Sequence, residues 1–179
     1  MDSKYSREFR SVKVAMFRGL LVALVAMAIT GIASAQENTT LKFRGGIGVV
    51  PVTGVAASGA VNLNVVRGVN PAGPWRIADL NANVTADGQI RVKGRGLLLA
   101  AGNGIGTNAG ASVFATLFCG PAASATAHSS NRVALDADGD FAIDELLSPA
   151  LTDACTTPVL LIRNGANGVW FAAGIPELK

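Results

Sequence analysis

Residues Ala78 to Leu97, ADLNANVTADGQIRVKGRGL, decide the fold class. At their centre Ala86-Asp87-Gly88 is a three-residue turn signal, with Gly88 free to take the left-handed conformation that closes such loops with a bulge. That turn sets a register. Val84 stands opposite Ile90 and Ala82 opposite Val92 on one face. Thr85 then meets Gln89, Asn83 meets Arg91, Asn81 meets Lys93 and Asp79 meets Arg95 on the other. One face is apolar and the other polar, as a half-buried antiparallel pair requires.

Working outward, the same turn signal recurs at Ala137-Asp138-Gly139, where it predicts Leu135 opposite Phe141, Val133 opposite Ile143 and Arg132 facing Asp144. Val113 to Cys119, Val159 to Ile162 and Val169 to Ala173 are apolar on both faces, so they are expected to lie centrally or under cover. Asn164-Gly165-Ala166-Asn167-Gly168 joins the last two as a hairpin. With Leu41 to Val52 and Ala60 to Val65 the count comes to about nine strands at sandwich-like spacing. The expected fold is an all-β, antiparallel β-sandwich, with a β-barrel as the alternative. Helical patterning is thin. Its best candidate is a turn or two within Asp144 to Leu151, interrupted by Pro149.

Upstream of these strands the chain has a different character. Lys4, Arg7, Arg10, Lys13 and Arg18 precede an apolar run from Gly19 to Ile32 that ends in Ala33-Ser34-Ala35, the small-x-small pattern of a signal-peptide cleavage site. Residues 1–35 are read as a signal peptide and 36–179 as a single domain, exported to the periplasm or beyond. The run is at the lower end of membrane-spanning length, and an uncleaved anchor is the rival reading. No later segment is apolar for long enough to predict a second crossing.

The formal charge of +3 would suggest an anionic partner such as nucleic acid, but the leader supplies five of the fifteen Lys/Arg residues and only two of the twelve Asp/Glu. Removing it leaves a balanced chain, which argues against a nucleic-acid partner. An unidentified envelope or extracellular ligand is the partner expected. Export also places Cys119 and Cys155, the two cysteines of the chain, in an oxidising compartment, so a structural disulfide is predicted.

Several side-chain groups invite a chemical reading. Asp136, Asp138 and Asp140 alternate as the oxygen ligands of calcium do, yet Phe141 and Leu147 stand where an EF-hand loop needs Gly and Glu. A solvated hairpin tip accounts for the same residues, and calcium remains the secondary reading. Gly102-Asn103-Gly104-Ile105-Gly106 has the look of a dinucleotide loop but leads into a strand, which leaves it a surface loop. His128 lies among Ser129 and Ser130 in a segment read as an exposed loop. Adjacent residues do not make a Ser-His-acid triad, and Asp79, Asp136, Asp140 and Asp144 have turn or pairing roles. Arg91, Lys93 and Arg95 project from one strand face, either as an anion or polysaccharide contact or as an ordinary solvated face. Trp75 and Trp170 are expected in the core.

The opening Leu41-Lys-Phe-Arg-Gly-Gly-Ile-Gly-Val-Val-Pro-Val-Thr53, continued by Ala57-Ser58-Gly59-Ala60, resembles the start of chordin-like (CHRD) domains. It has one proline, Pro51, where the family has two, and the family's later His-containing motif has no counterpart, so no function transfers. The ending Trp170-Phe171-Ala172-Ala173-Gly174 is similar to exported bacterial β-sandwich proteins, which implies a compartment and no activity. The sequence thus points to a non-enzymatic interaction or structural module of the cell envelope or extracellular space. A hydrolase with a site assembled from distant loops, using His128 or the acids of residues 136–145, and a calcium-stabilised binding module are the alternatives.

Overall fold

A computed structural model describes residues 39–50, 54–55, 61–62 and 64–177; the leader and its cleavage site lie outside them, as does most of the stretch resembling CHRD domains beyond Val50. The strands are β1 (Thr39–Gly48), β2 (Gly54–Val55), β3 (Val61–Asn62), β4 (Trp75–Arg76), β5 (Asp79–Thr85), β6 (Gln89–Arg95) and β7 (Leu98–Leu99). They continue as β8 (Ser112–Cys119), β9 (Thr126–Ser129), β10 (Val133–Ala134), β11 (Phe141–Leu146), β12 (Val159–Asn164) and β13 (Trp170–Pro176).

The hairpin of β5 and β6 forms in the register that its alternation predicts, with Asp79, Asn81, Ala82, Asn83 and Val84 opposite Arg95, Lys93, Val92, Arg91 and Ile90. Gly88 takes a φ of 86° and its N–H closes the turn on the Thr85 carbonyl at 3.0 Å. Leu80, Ala82, Val84, Ile90 and Val92 are buried, and the polar partners stand on the other face. Burial of each larger aliphatic side chain is worth about 1.5–3 kcal/mol, so this one alternation commits the pair to a core.

The main sheet runs β10-β8-β12-β13-β1-β5-β6-β11 with every neighbour antiparallel, and β9 pairs with β8 on the same edge as β10. Two short ladders, β2-β3 and β4-β7, stand outside it. The all-β antiparallel architecture expected from the sequence is therefore present, as a single large sheet that curls into a half-barrel. Its two ends approach each other: Ser129 in β9 and Ser148, just after β11, exchange both backbone hydrogen bonds at 2.8 Å.

The apolar segments lie where two-sided burial places them. Ala115 to Phe118, Leu160 to Ile162 and Trp170 to Ala172 are consecutive buried runs in the neighbouring strands β8, β12 and β13. The segment around residues 64–75 covers this region. Trp170 donates from Nε1 to the Asn64 carbonyl at 3.0 Å, and Trp75 stacks on Phe171 with centroids 4.0 Å apart. Both tryptophans belong to the core, as expected.

Two expectations are corrected. The turn at Ala137-Asp138-Gly139 forms, with Gly139 at a φ of 78°, but the flanking strands separate instead of pairing. β10 adds to β8 while β11 makes six pairs with β6, so Asp144 stands opposite Arg91 and not Arg132. The longer ladder on β6, with Ile143 opposite Val92 and Phe141 opposite Gly94, outweighs the short local hairpin. Nor does Asp144 to Leu151 contain a helical turn: its first three residues complete β11, and the Leu147 and Ser148 N–H groups donate to Gly88 and Ser129. Among the described residues there is no helix.

Candidate functional site

The outward face of β1, β5, β6 and β11 gathers the basic residues. Register places Lys42, Asn83, Arg91 and Asp144 in one row across the four strands, and Arg44, Asn81, Lys93 and Ala142 in the next. Asp79 and Arg95 make a third row on β5 and β6. Lys42, Arg44, Arg91, Lys93 and Arg95 are exposed, whereas Asp79, Asn81, Asn83 and Thr85 between them are half-buried. Strands are spaced about 4.8 Å apart and same-face residues recur about every 6.8 Å. Two lines of long cationic side chains therefore flank β5 about 10 Å apart, with short polar side chains forming the floor.

The sequence identified Arg91, Lys93 and Arg95, and the structure brings them together on one strand face. Lys42 and Arg44 were missed because the pairing of β1 with β5 joins segments about 40 residues apart and leaves no local periodic signal. Partners differ along the face. Arg91 Nε lies 3.3 Å from both Asp144 carboxylate oxygens, and Gln89 Nε2 donates to Asp144 Oδ1 at 2.6 Å. Arg44 forks onto Asn83 Oδ1 at 3.0 Å and the Phe43 and Ala82 carbonyls at 3.1 and 3.3 Å. Asp79 accepts from Asn81 Nδ2 at 2.7 Å and makes no ion pair with Arg95. Among the described residues, the Lys93 and Arg95 side chains have neither a hydrogen-bond nor an ion-pair partner.

The carboxylates at the other turn serve the backbone. Asp136 Oδ1 accepts from the N–H groups of Asp138 and Asp140 at 2.9 and 2.8 Å, and Asp140 Oδ1 accepts from Gly96 N at 2.9 Å. Asp136, Ala137 and Asp138 are exposed at this tip as expected, while Gly139 is buried and its carbonyl takes the Leu97 N–H at 3.0 Å. Asp136, Asp138 and Asp140 do not converge as calcium ligands, and among the described residues no group of three ligating side chains does.

Cys119 and Cys155 form the predicted disulfide, with Cα atoms 4.8 Å apart, joining the end of β8 to the loop before β12. Beside it His128 departs from expectation. It lies in β9 opposite Leu117, is 6% exposed, and its Nδ1 is 2.7 Å from the Pro149 carbonyl. Strand pairing with β8 carries it inward, which the Ser/Ala-rich context of residues 125–131 did not announce. His128 and Asp153 line one cavity of about 160 Å³, and among the described residues His128 has no carboxylate partner. A larger open groove of about 580 Å³ runs past Trp75, Phe171, Ser112, Asn164 and Asn167 and has no charged residue in its lining.

Comparison of the chain with family models, curated proteins and solved structures gave no match. Among the described residues no helix is long and apolar enough to cross a membrane.

Proposed function

We propose that the chain is an exported, non-enzymatic binding module of the cell envelope or extracellular space, and that it engages an anionic partner through the outward face of β1, β5 and β6. One observation carries this reading. Five of the ten Lys/Arg residues outside the leader stand on this single face, in a part of the chain whose acids and bases balance. Charge segregated in this way attracts an anion at close range although the net charge does not. Among the described residues the side chains of Lys42, Lys93 and Arg95 have no ion-pair partner, so binding there breaks no existing ion pair. The groups that suggested catalysis have positioning work instead, since His128 ties β9 to Pro149 and Asp136 and Asp140 hold the turn.

The test is retention of the exported protein on an immobilised sulfonated polymer at neutral pH, eluted with a salt gradient. The protein is expected to bind despite its balanced charge, and the double variant Lys93→Glu/Arg95→Glu to pass through unretained. Equal retention of the two proteins, or none of either, would remove this face as the site.

A further inference from the structure

We infer that the anionic partner is a linear acidic polysaccharide lying along β5 between the two cationic lines; this rests on the binding role proposed for the same face. The floor and the walls each contribute to the choice. Along the floor, Asn81 donates to Asp79 and Asn83 accepts from Arg44, so Asn81 Oδ1 and Asn83 Nδ2 have no partner among the described residues. One unused acceptor and one unused donor suit hydroxyl groups, which both donate and accept. Along the walls, Arg91, Lys93 and Arg95 are on β6, and Lys42 and Arg44 face Arg91 and Lys93 from β1. Same-side cations recur about every 6.8 Å, so a linear chain with carboxylates along its length meets more than one of them.

Competing anions fit this face less well. Single-stranded nucleic acid is held by bases stacking on aromatic side chains, and the outward side chains of β5 and β6, with Lys42 and Arg44 of β1, include none. An anionic lipid surface rewards apolar side chains set among the cations. Here the residues between the cations are Asp79, Asn81 and Asn83; the exposed apolar side chains stand outside them, Ile47 past the irregularity in β1, Ile175 on β13, and Leu146 on β11 opposite Gln89. The acids on the face also constrain the ligand. Asp144 pairs with Arg91, which leaves Lys42, Lys93 and Arg95 as cations of this face without an ion pair among the described residues.

The experiment is calorimetric titration of the exported protein, at one fixed salt concentration, with five probes. They are alginate oligomers, a neutral glucan of equal length, oligothymidylate, phosphatidylglycerol vesicles, and inorganic polyphosphate. Alginate is expected to bind most tightly and the glucan not at all. Lys93→Ala/Arg95→Ala should weaken alginate by about tenfold or more. Asn81→Ala should weaken alginate severalfold while leaving binding of inorganic polyphosphate unchanged, which separates sugar recognition from charge alone. All of these side chains point outward, so the variants should keep the wild-type melting temperature, and a variant that does not is replaced by Lys93→Gln/Arg95→Gln. Tighter binding of oligothymidylate or vesicles, or an Asn81→Ala variant that behaves as wild type, overturns the polysaccharide assignment and leaves the anion-binding face standing. If no anionic probe binds, the function proposed for this face falls as well.

Discussion

At residue scale, Gly94 shows how one missing side chain sets a strand pair. A Cβ built there would lie 2.1 Å from Phe141 Cε1, so the Phe141 ring occupies the notch that glycine leaves in β6. Gly94→Ala must displace a buried ring, and a denaturant melt should show a loss of about 1–3 kcal/mol. Gly73→Ala, where nothing lies within 4 Å, is the control expected to stay near wild type. Asp87 makes a different kind of prediction. Hydrogen bonds from the Thr85 hydroxyl and then the Gln89 N–H hold its carboxyl below the ordinary value of 3.8. A lowered folded pKa means this stabilisation is complete above about pH 4 and fades as pH falls through the folded value. In acid titrations followed by thermal melts, Asp87→Asn should therefore lose less stability than wild type between pH 4 and 2, while being the less stable protein at pH 7.

The same contrast between local and distant signals governs the elements. The β5–β6 hairpin was legible almost pair by pair, because its turn and its alternation lie within one short stretch. The second turn was legible and its hairpin was not, since the competing ladder of β11 on β6 depends on residues some 50 positions apart. His128 shows the same limit, because β9 is a strand only by virtue of β8. For the candidate site, the β6 cations were visible and the β1 cations were hidden by the same long-range pairing. The disulfide was inferred from export and cysteine count, and its position makes it an element-scale brace. It closes a separation of 36 residues between β8 and the loop before β12. Under the chain-entropy model, reduction should cost about 3.8 kcal/mol, read as a lowered denaturation midpoint after treatment with reductant.

At the scale of the whole molecule, two surfaces differ in charge. The groove past Trp75 and Phe171 is neutral, whereas the outward face of β1, β5 and β6 is basic. Under the proposed function, that division gives the balanced chain a direction in which to bind. The account also requires the leader to be removed: the exported protein should have an intact mass beginning at Gln36, rising by two hydrogens on reduction. A full-length mass, unchanged by reductant, would contradict both export processing and the closed disulfide.

The measurement closest to the central claim is the change in backbone amide NMR shifts of the exported protein on titration with alginate oligomers. The account predicts saturable changes confined to Lys42–Arg44, Asp79–Thr85 and Gln89–Arg95, the residues of β1, β5 and β6 that bear the basic face. Changes centred instead on the neutral groove, at residues 71–75, 109–112 and 164–169, would contradict it and move the site to the other surface.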